Sequence, residues 1–175
     1  MAVLSLFNLV AFHLPLFDLV VGCVEPGANA WLIVCSFVVL ILAANFMVYY
    51  LLVYTLRMVG KVLVALTFVC NAVALYFVNT YVVLMTRAMM GNLFNTRLSE
   101  ASGFFSLTPV VYLLLLGLPP CLYLFVRRYE LGSLRRMLVS VGAAIGLIVV
   151  VAVANMGNIL WIDHNAPRIG SLFMP

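Results

Sequence analysis

From Trp31 to Leu56 the chain carries no charged side chain, and the run stops at Arg57. A bilayer core asks for about 20 mainly apolar residues per helical crossing, and this run exceeds that. Three more stretches share its character. One extends from Val62 to about Val78, after the basic turn Arg57–Lys61. The next covers Val110 to Val126 and is stopped by Arg127 and Arg128. The last begins at Met137, just after Arg135 and Arg136, and continues to about Trp161. The first segment, Met1 to about Val21, is interrupted by His13, Pro15 and Asp18. It lacks the positive leader that a cleaved signal peptide carries, so it is expected to be a retained helix ending near Pro15. The expected fold is therefore all-α: a polytopic membrane domain of five transmembrane helices over residues 1–162.

Composition agrees with this class. Hydrophobic residues make up 67% of the chain and charged residues 8%, with a mean hydropathy of +1.25. A soluble globular chain carries about 25% charge, and one of this size still exposes much of its surface to water. The net charge of +4 does not point to nucleic acid, because most of the nine basic residues flank apolar runs. Cys23, Cys35, Cys70 and Cys121 form no CxxC pair. They read as small buried hydrophobes rather than a disulfide framework or zinc knuckle.

Charge placement gives an orientation. Arg57, Lys61, Arg127, Arg128, Arg135 and Arg136 fall in the connections between spans 2 and 3 and between spans 4 and 5. Arg87, Arg97 and Arg168 fall on the opposite side. The positive-inside rule then puts the N-terminus in the cytoplasm and the C-terminus outside. Trp31, Tyr81 and Trp161 stand at the expected external ends, where amphipathic rings favour the headgroup layer. The polar stretch Ile162–Pro167 reads as a helix-exit loop, and residues 163–175 as the start of a linker to a further domain.

The outer connection, about 79–108, is long for a compact domain, and loops of that length are commonly functional. Met85, Met89, Met90, Leu93, Phe94, Leu98, Phe104 and Phe105 recur in it at roughly helical intervals. Short amphipathic helices lying on the outer leaflet are expected. Asn92, Thr96 and Glu100 follow one another at four-residue steps, so on a helix they make one polar stripe. An amide, a hydroxyl and a carboxylate together suit a zwitterionic phospholipid head, with donors for its phosphodiester and an anion for its ammonium. The plainer account is the solvated face of an interfacial helix. Arg97 projects nearer the apolar side and would have to snorkel.

Several of these residues resemble the membrane domain of the bacterial phosphoethanolamine transferases, the lipid A-modifying, colistin-resistance type of enzyme. Tyr76-Phe77-Val78-Asn79-Thr80-Tyr81 resembles the family's YF-x-D-TY segment. Met90-Gly91-Asn92-Leu93-Phe94-Asn95-Thr96 resembles its M-x-N-x-x-x-T helix, and Ser99-Glu100-Ala101 falls where the family has an acidic residue. Leu116-Gly117-Leu118-Pro119 resembles its G-x-x-P turn, and Phe12 to Phe17 its F-N-x-P-F. The similarity is strong over about Tyr76–Ala101 and thin elsewhere. Asn79 departs from the usual aspartate, and Arg87 stands where the family's loop is often acidic.

The resemblance implies a bacterial inner-membrane protein and a second, periplasmic domain of alkaline-phosphatase type. There a zinc-bound threonine would move phosphoethanolamine from phosphatidylethanolamine to lipid A or another envelope glycan. It also implies that Asn92, Thr96 and Glu100 bind the donor lipid, while this chain holds neither the nucleophile nor the zinc ligands. Asp163-His164 alone supplies too few ligands for zinc. His13 reads either as a buried, partnered side chain or as the mark of an interior cavity. The competing classes are a non-enzymatic membrane module, such as a small transporter or scaffold subunit, and a sensor whose loop binds an external protein. Against a transporter, no internal repeat is seen and spans 2 to 5 carry no charge.

Overall fold

The computed structural model describes residues 1–24, 28–81, 107–127, 129 and 132–170. Helices α1 (Ala2–Phe12) and α2 (Leu14–Cys23) are followed by α3 (Ala28–Leu56) and α4 (Met58–Tyr81). Then come α5 (Leu107–Val126), α6 (Leu134–Ala154) and α7 (Ile159–Gly170). No strand occurs among the described residues. Among the described residues four helices, α3 to α6, are long and apolar enough to cross a membrane, and the bent α1–α2 pair makes a fifth span if taken as one. The chain is an all-α polytopic membrane domain.

The first helix ends just ahead of Pro15, at Phe12. The chain breaks at His13, bends by 62° and resumes as α2 with Pro15 in its first turn. Pro15 has no N–H for the Ala11 carbonyl and disfavours helical backbone just before it. The break therefore falls ahead of the proline, and the helix beyond it is intact.

Between α3 and α4 the reversal is abrupt. Arg57 alone separates them, with φ of 47°, a left-handed conformation that costs a non-glycine residue roughly 1–2 kcal/mol. The helices then separate so slowly that a Cβ on Gly60 would overlap the Leu52 carbonyl and lie 2.9 Å from the Val53 Cα. Only glycine fits there.

Inside α5, Leu113–Gly117 is a π-helical segment. Pro119 and Pro120 follow it, and neither can donate to the carbonyl four residues earlier. The wider turn absorbs that mismatch and leaves Gly117 buried against Ala72 and Val69 of α4.

Helix α3 is the centre of the bundle: it packs on α1, α4 and α6, while α5 lies along α4. Leu4, Tyr49, Val53, Val64, Phe68 and Leu124 form the main core, flanked by the Phe7 and Phe12 rings against Phe68. A second cluster, Leu16, Val20 and Ile33, sits toward the other end and is closed by Trp161. Large apolar side chains elsewhere point outward, including Leu66, Leu115, Val150 and Leu160. In a bilayer that is the favourable exterior. It also corrects the reading of the cysteines: Cys35 and Cys70 lie on that outward surface, and Cys23 and Cys121 are only half-buried. All four are free thiols.

The last span is shorter than its hydropathy implies. Helix α6 ends at Ala154, a 3-10 turn covers Met156–Asn158, and α7 begins at Ile159. Residues 163–170 are helical, where a helix-exit loop was expected from the polar sequence. Asn155 causes the break. Its side chain is buried and donates to the Ser36 hydroxyl at 2.7 Å and to the Val151 carbonyl at 2.8 Å, and that fixes the end of α6 against α3.

Candidate functional site

Helices α3 and α4 reverse direction at Arg57, and α5 runs back along α4, so the C-terminus of α4 and the N-terminus of α5 share one end of the bundle. Contacts down the α4–α5 seam follow that antiparallel order. Asn79 donates to the Tyr112 hydroxyl at 3.2 Å, and the Tyr76 and Tyr112 rings meet edge-on at 5.7 Å. Farther down, the Cys121 thiol lies 3.6 Å from the Ala65 carbonyl. The departure residue Asn79 thus has a structural partner: an amide in place of a carboxylate can donate to a phenol oxygen. The segment 82–106 leaves and returns at this end. Asn92, Thr96 and Glu100 fall in that segment, outside the described residues, as do Arg87 and Arg97.

The same end carries a polar pocket of about 480 Å³, between α2, the start of α3 and α7. Asn29, Asn158, Trp161, His164 and Asn165 line it. Trp161 donates its indole N–H to the Cys23 carbonyl at 3.3 Å, and Asn165 donates to the Trp161 carbonyl at 2.9 Å. The first bond orients the ring and clips α7 to α2; the second lies within α7. Among the described residues the pocket lining offers amides, an indole and an imidazole, and no carboxylate. Such a set suits a ligand held by hydrogen bonds. Among the described residues no group of three or more His, Cys, Asp or Glu could hold a metal ion. Asp163 and His164 remain a pair in α7.

Sequence reasoning missed a second polar feature, inside the bundle. Asn8 of α1 donates to the Tyr49 hydroxyl of α3, and Asn71 of α4 reaches the Asn8 side-chain oxygen at 3.5 Å. His13 Nδ1 lies 3.1 Å from the Asn8 carbonyl. Between His13 and Asn71 lies a pocket of about 170 Å³ at the α1–α2 bend. Of the two readings of His13, partnered side chain and cavity marker, the structure joins both. The available signal was that Asn8 and Asn71 each interrupt an apolar run. Nothing in the sequence said that they meet.

The profile of the family described as phosphoethanolamine transferase EptA/EptB, in its N-terminal part, matches residues 41–175. The chain belongs to that family. The EptA/EptB match takes in the α4–α5 seam, the segment 82–106 and α7, and it begins within α3. The phosphoethanolamine transferase EptA of Helicobacter pylori (strain ATCC 700392 / 26695) is 32% identical to this chain over 105 residues. That alignment covers 60% of the chain and 20% of the EptA relative, so the chain spans about a fifth of that protein's length. No solved structure matches it. The resemblance read from Tyr76–Ala101 and the family match agree, and the chain is a phosphoethanolamine transferase membrane domain.

Proposed function

We propose that this domain holds the donor lipid for a phosphoethanolamine transferase, presenting phosphatidylethanolamine at the outer leaflet of a bacterial inner membrane. Asn92, Thr96 and Glu100 grip the headgroup in this reading. The carboxylate takes the ammonium, and the amide and hydroxyl donate to the phosphodiester. In this reading the nucleophilic threonine and its zinc belong to a second, periplasmic domain outside this chain, reached through a linker that follows α7. The acceptor is lipid A or another envelope glycan.

One observation supports the reading most. Both anchors of the segment 82–106 stand at the end of the bundle opposite its basic turns, tied across α4 and α5 by the Asn79–Tyr112 bond. A headgroup-binding segment belongs at that end under the positive-inside orientation. The physical rationale is tethering. A phospholipid is held in its leaflet by roughly 0.8 kcal/mol per buried CH₂. A membrane-anchored enzyme therefore meets its donor at high effective concentration.

The test is E100A in the full-length enzyme, with the N92A/T96A/E100A triple variant beside it. Use of phosphatidylethanolamine is expected to weaken while zinc content stays at the wild-type level. Wild-type lipid kinetics in the triple variant would refute the assignment.

A further inference from the structure

At the opposite end of the bundle, two turns enclose a third pocket. The α3–α4 turn contributes Tyr54, Arg57 and Lys61, and the α5–α6 connection contributes Tyr129 and Gly132, around a volume of about 570 Å³. Each turn is closed by a left-handed residue, Arg57 with φ of 47° and Gly132 with φ of 72°. Among the described residues the lining thus carries two cations and two phenols, and no carboxylate.

Lys61 is not a loose surface charge. It is half-buried, donates to the Arg127 carbonyl at 3.3 Å, and lies 5.1 Å over the Tyr129 ring. Both contacts pin the ammonium in the pocket wall and leave donors to spare. The Tyr129 hydroxyl is buried with no hydrogen-bond partner among the described residues. A buried hydroxyl ordinarily has one. Burial also pushes its phenol pKa up, with Tyr123 acting the same way and Arg127 opposing, so it stays a donor. Cations that merely set topology need neither a pocket nor a buried donor beside it.

We propose that this pocket binds the phosphate of an anionic phospholipid, of phosphatidylglycerol or cardiolipin chemistry, in the leaflet at the basic end. The Arg57 and Lys61 charges attract the phosphodiester, and basic pockets between membrane helices are suited to such heads. The same charges repel the ammonium of a zwitterionic head. The proposal does not depend on which lipid the opposite end takes.

The full-length protein, delipidated in detergent, is titrated with phosphatidylglycerol, phosphatidylethanolamine or phosphatidylcholine, and bound lipid is counted by native mass spectrometry. Only the retention lost in K61Q is scored, so lipid held elsewhere does not enter. Phosphatidylglycerol retention is expected to fall roughly fivefold in K61Q, the weight of one juxtamembrane cation. Y129F, which removes one oxygen and leaves the packing, lowers it severalfold. R135Q, a cation of the same end outside the pocket lining, changes it less than twofold, and 10 mM inorganic phosphate does not displace the lipid. Three results overturn the proposal: a K61Q-sensitive fraction that is equally phosphatidylethanolamine, a loss in R135Q equal to that in K61Q, or displacement by inorganic phosphate.

Discussion

Asn8 of α1 donates its side-chain amide to the hydroxyl of Tyr49 in α3, across 41 positions of sequence. The two residues are 2% and 3% exposed, so neither can turn to solvent when its partner is removed. Hydrogen bonds between membrane helices contribute about 0.6 kcal/mol on average and up to about 1.7. Y49F is expected to destabilise the bundle by about 1 kcal/mol in a reversible detergent unfolding titration. The N8L/Y49F pair should lose less than the two single losses summed, because it leaves neither the Asn8 amide nor the Tyr49 hydroxyl facing an apolar replacement of the other. Strict additivity would mean that the bond carries nothing.

Gly60 is the second sensitive point. G60A places a methyl group against the Leu52 carbonyl and the Val53 Cα, and main-chain atoms cannot rotate away as a side chain would. Overpacking of this kind costs about 1–3 kcal/mol. A lowered midpoint for thermal unfolding in detergent is expected, together with increased protease sensitivity at the α3–α4 turn. G142A, where a Cβ meets nothing within 4 Å, is the matched control and should be neutral or slightly stabilising.

Trp161 fastens α7. W161F keeps most of the contact with the Leu16, Val20 and Ile33 cluster but loses the bond to the Cys23 carbonyl. Faster amide exchange is expected across 159–170, by about three- to tenfold for a bond worth about 1 kcal/mol. Exchange in α3 and α4 should stay at the wild-type rate. Unchanged exchange in α7 would mean that ring packing alone holds it.

Tyr129 makes a pH prediction. Burial raises its phenol pKa above the ordinary value near 10, so the folded protein keeps this proton after the unfolded chain has begun to lose it. Stability linked to Tyr129 is then complete below about pH 10 and is lost as pH rises through the folded value. Alkaline unfolding curves for wild type and Y129F should run parallel at pH 8 and diverge above pH 10. Parallel curves throughout would place the phenol in solvent.

Much of the fold was legible because hydropathy reports membrane crossing directly. Arg57, Arg127 and the Arg135–Arg136 pair marked the ends of spans 2, 4 and 5 to within a few residues. Local backbone chemistry inside those spans was harder to see. A window average over 137–161 passes over Asn155, whose bond to Ser36 comes from α3 and ends the helix early. Pro15 announced a break, but its effect falls on the residues before it, and His13 is where the axis turns. The interior polar contacts were illegible for a different reason. Asn8, Tyr49 and Asn71 lie on three helices, and only the packing of α1 across α3 and α4 brings them together. For the outer connection, the sequence located the two helix ends that anchor it, at Tyr81 and Leu107. The placement of Asn92, Thr96 and Glu100 lies outside the described residues.

The Asn8 bond also constrains how the molecule is made. Asn8 emerges from the ribosome 41 residues ahead of Tyr49 and 63 ahead of Asn71. At about 5–20 residues per second, the Asn8 amide is therefore made some seconds before either partner and would enter the membrane uncapped. It is held either in the aqueous channel or by whatever else can hydrogen-bond to it. A helix synthesised before both of its partners is in this sense among the last to settle, and a pause in translation after α2 would lengthen the interval in which it is exposed to quality control.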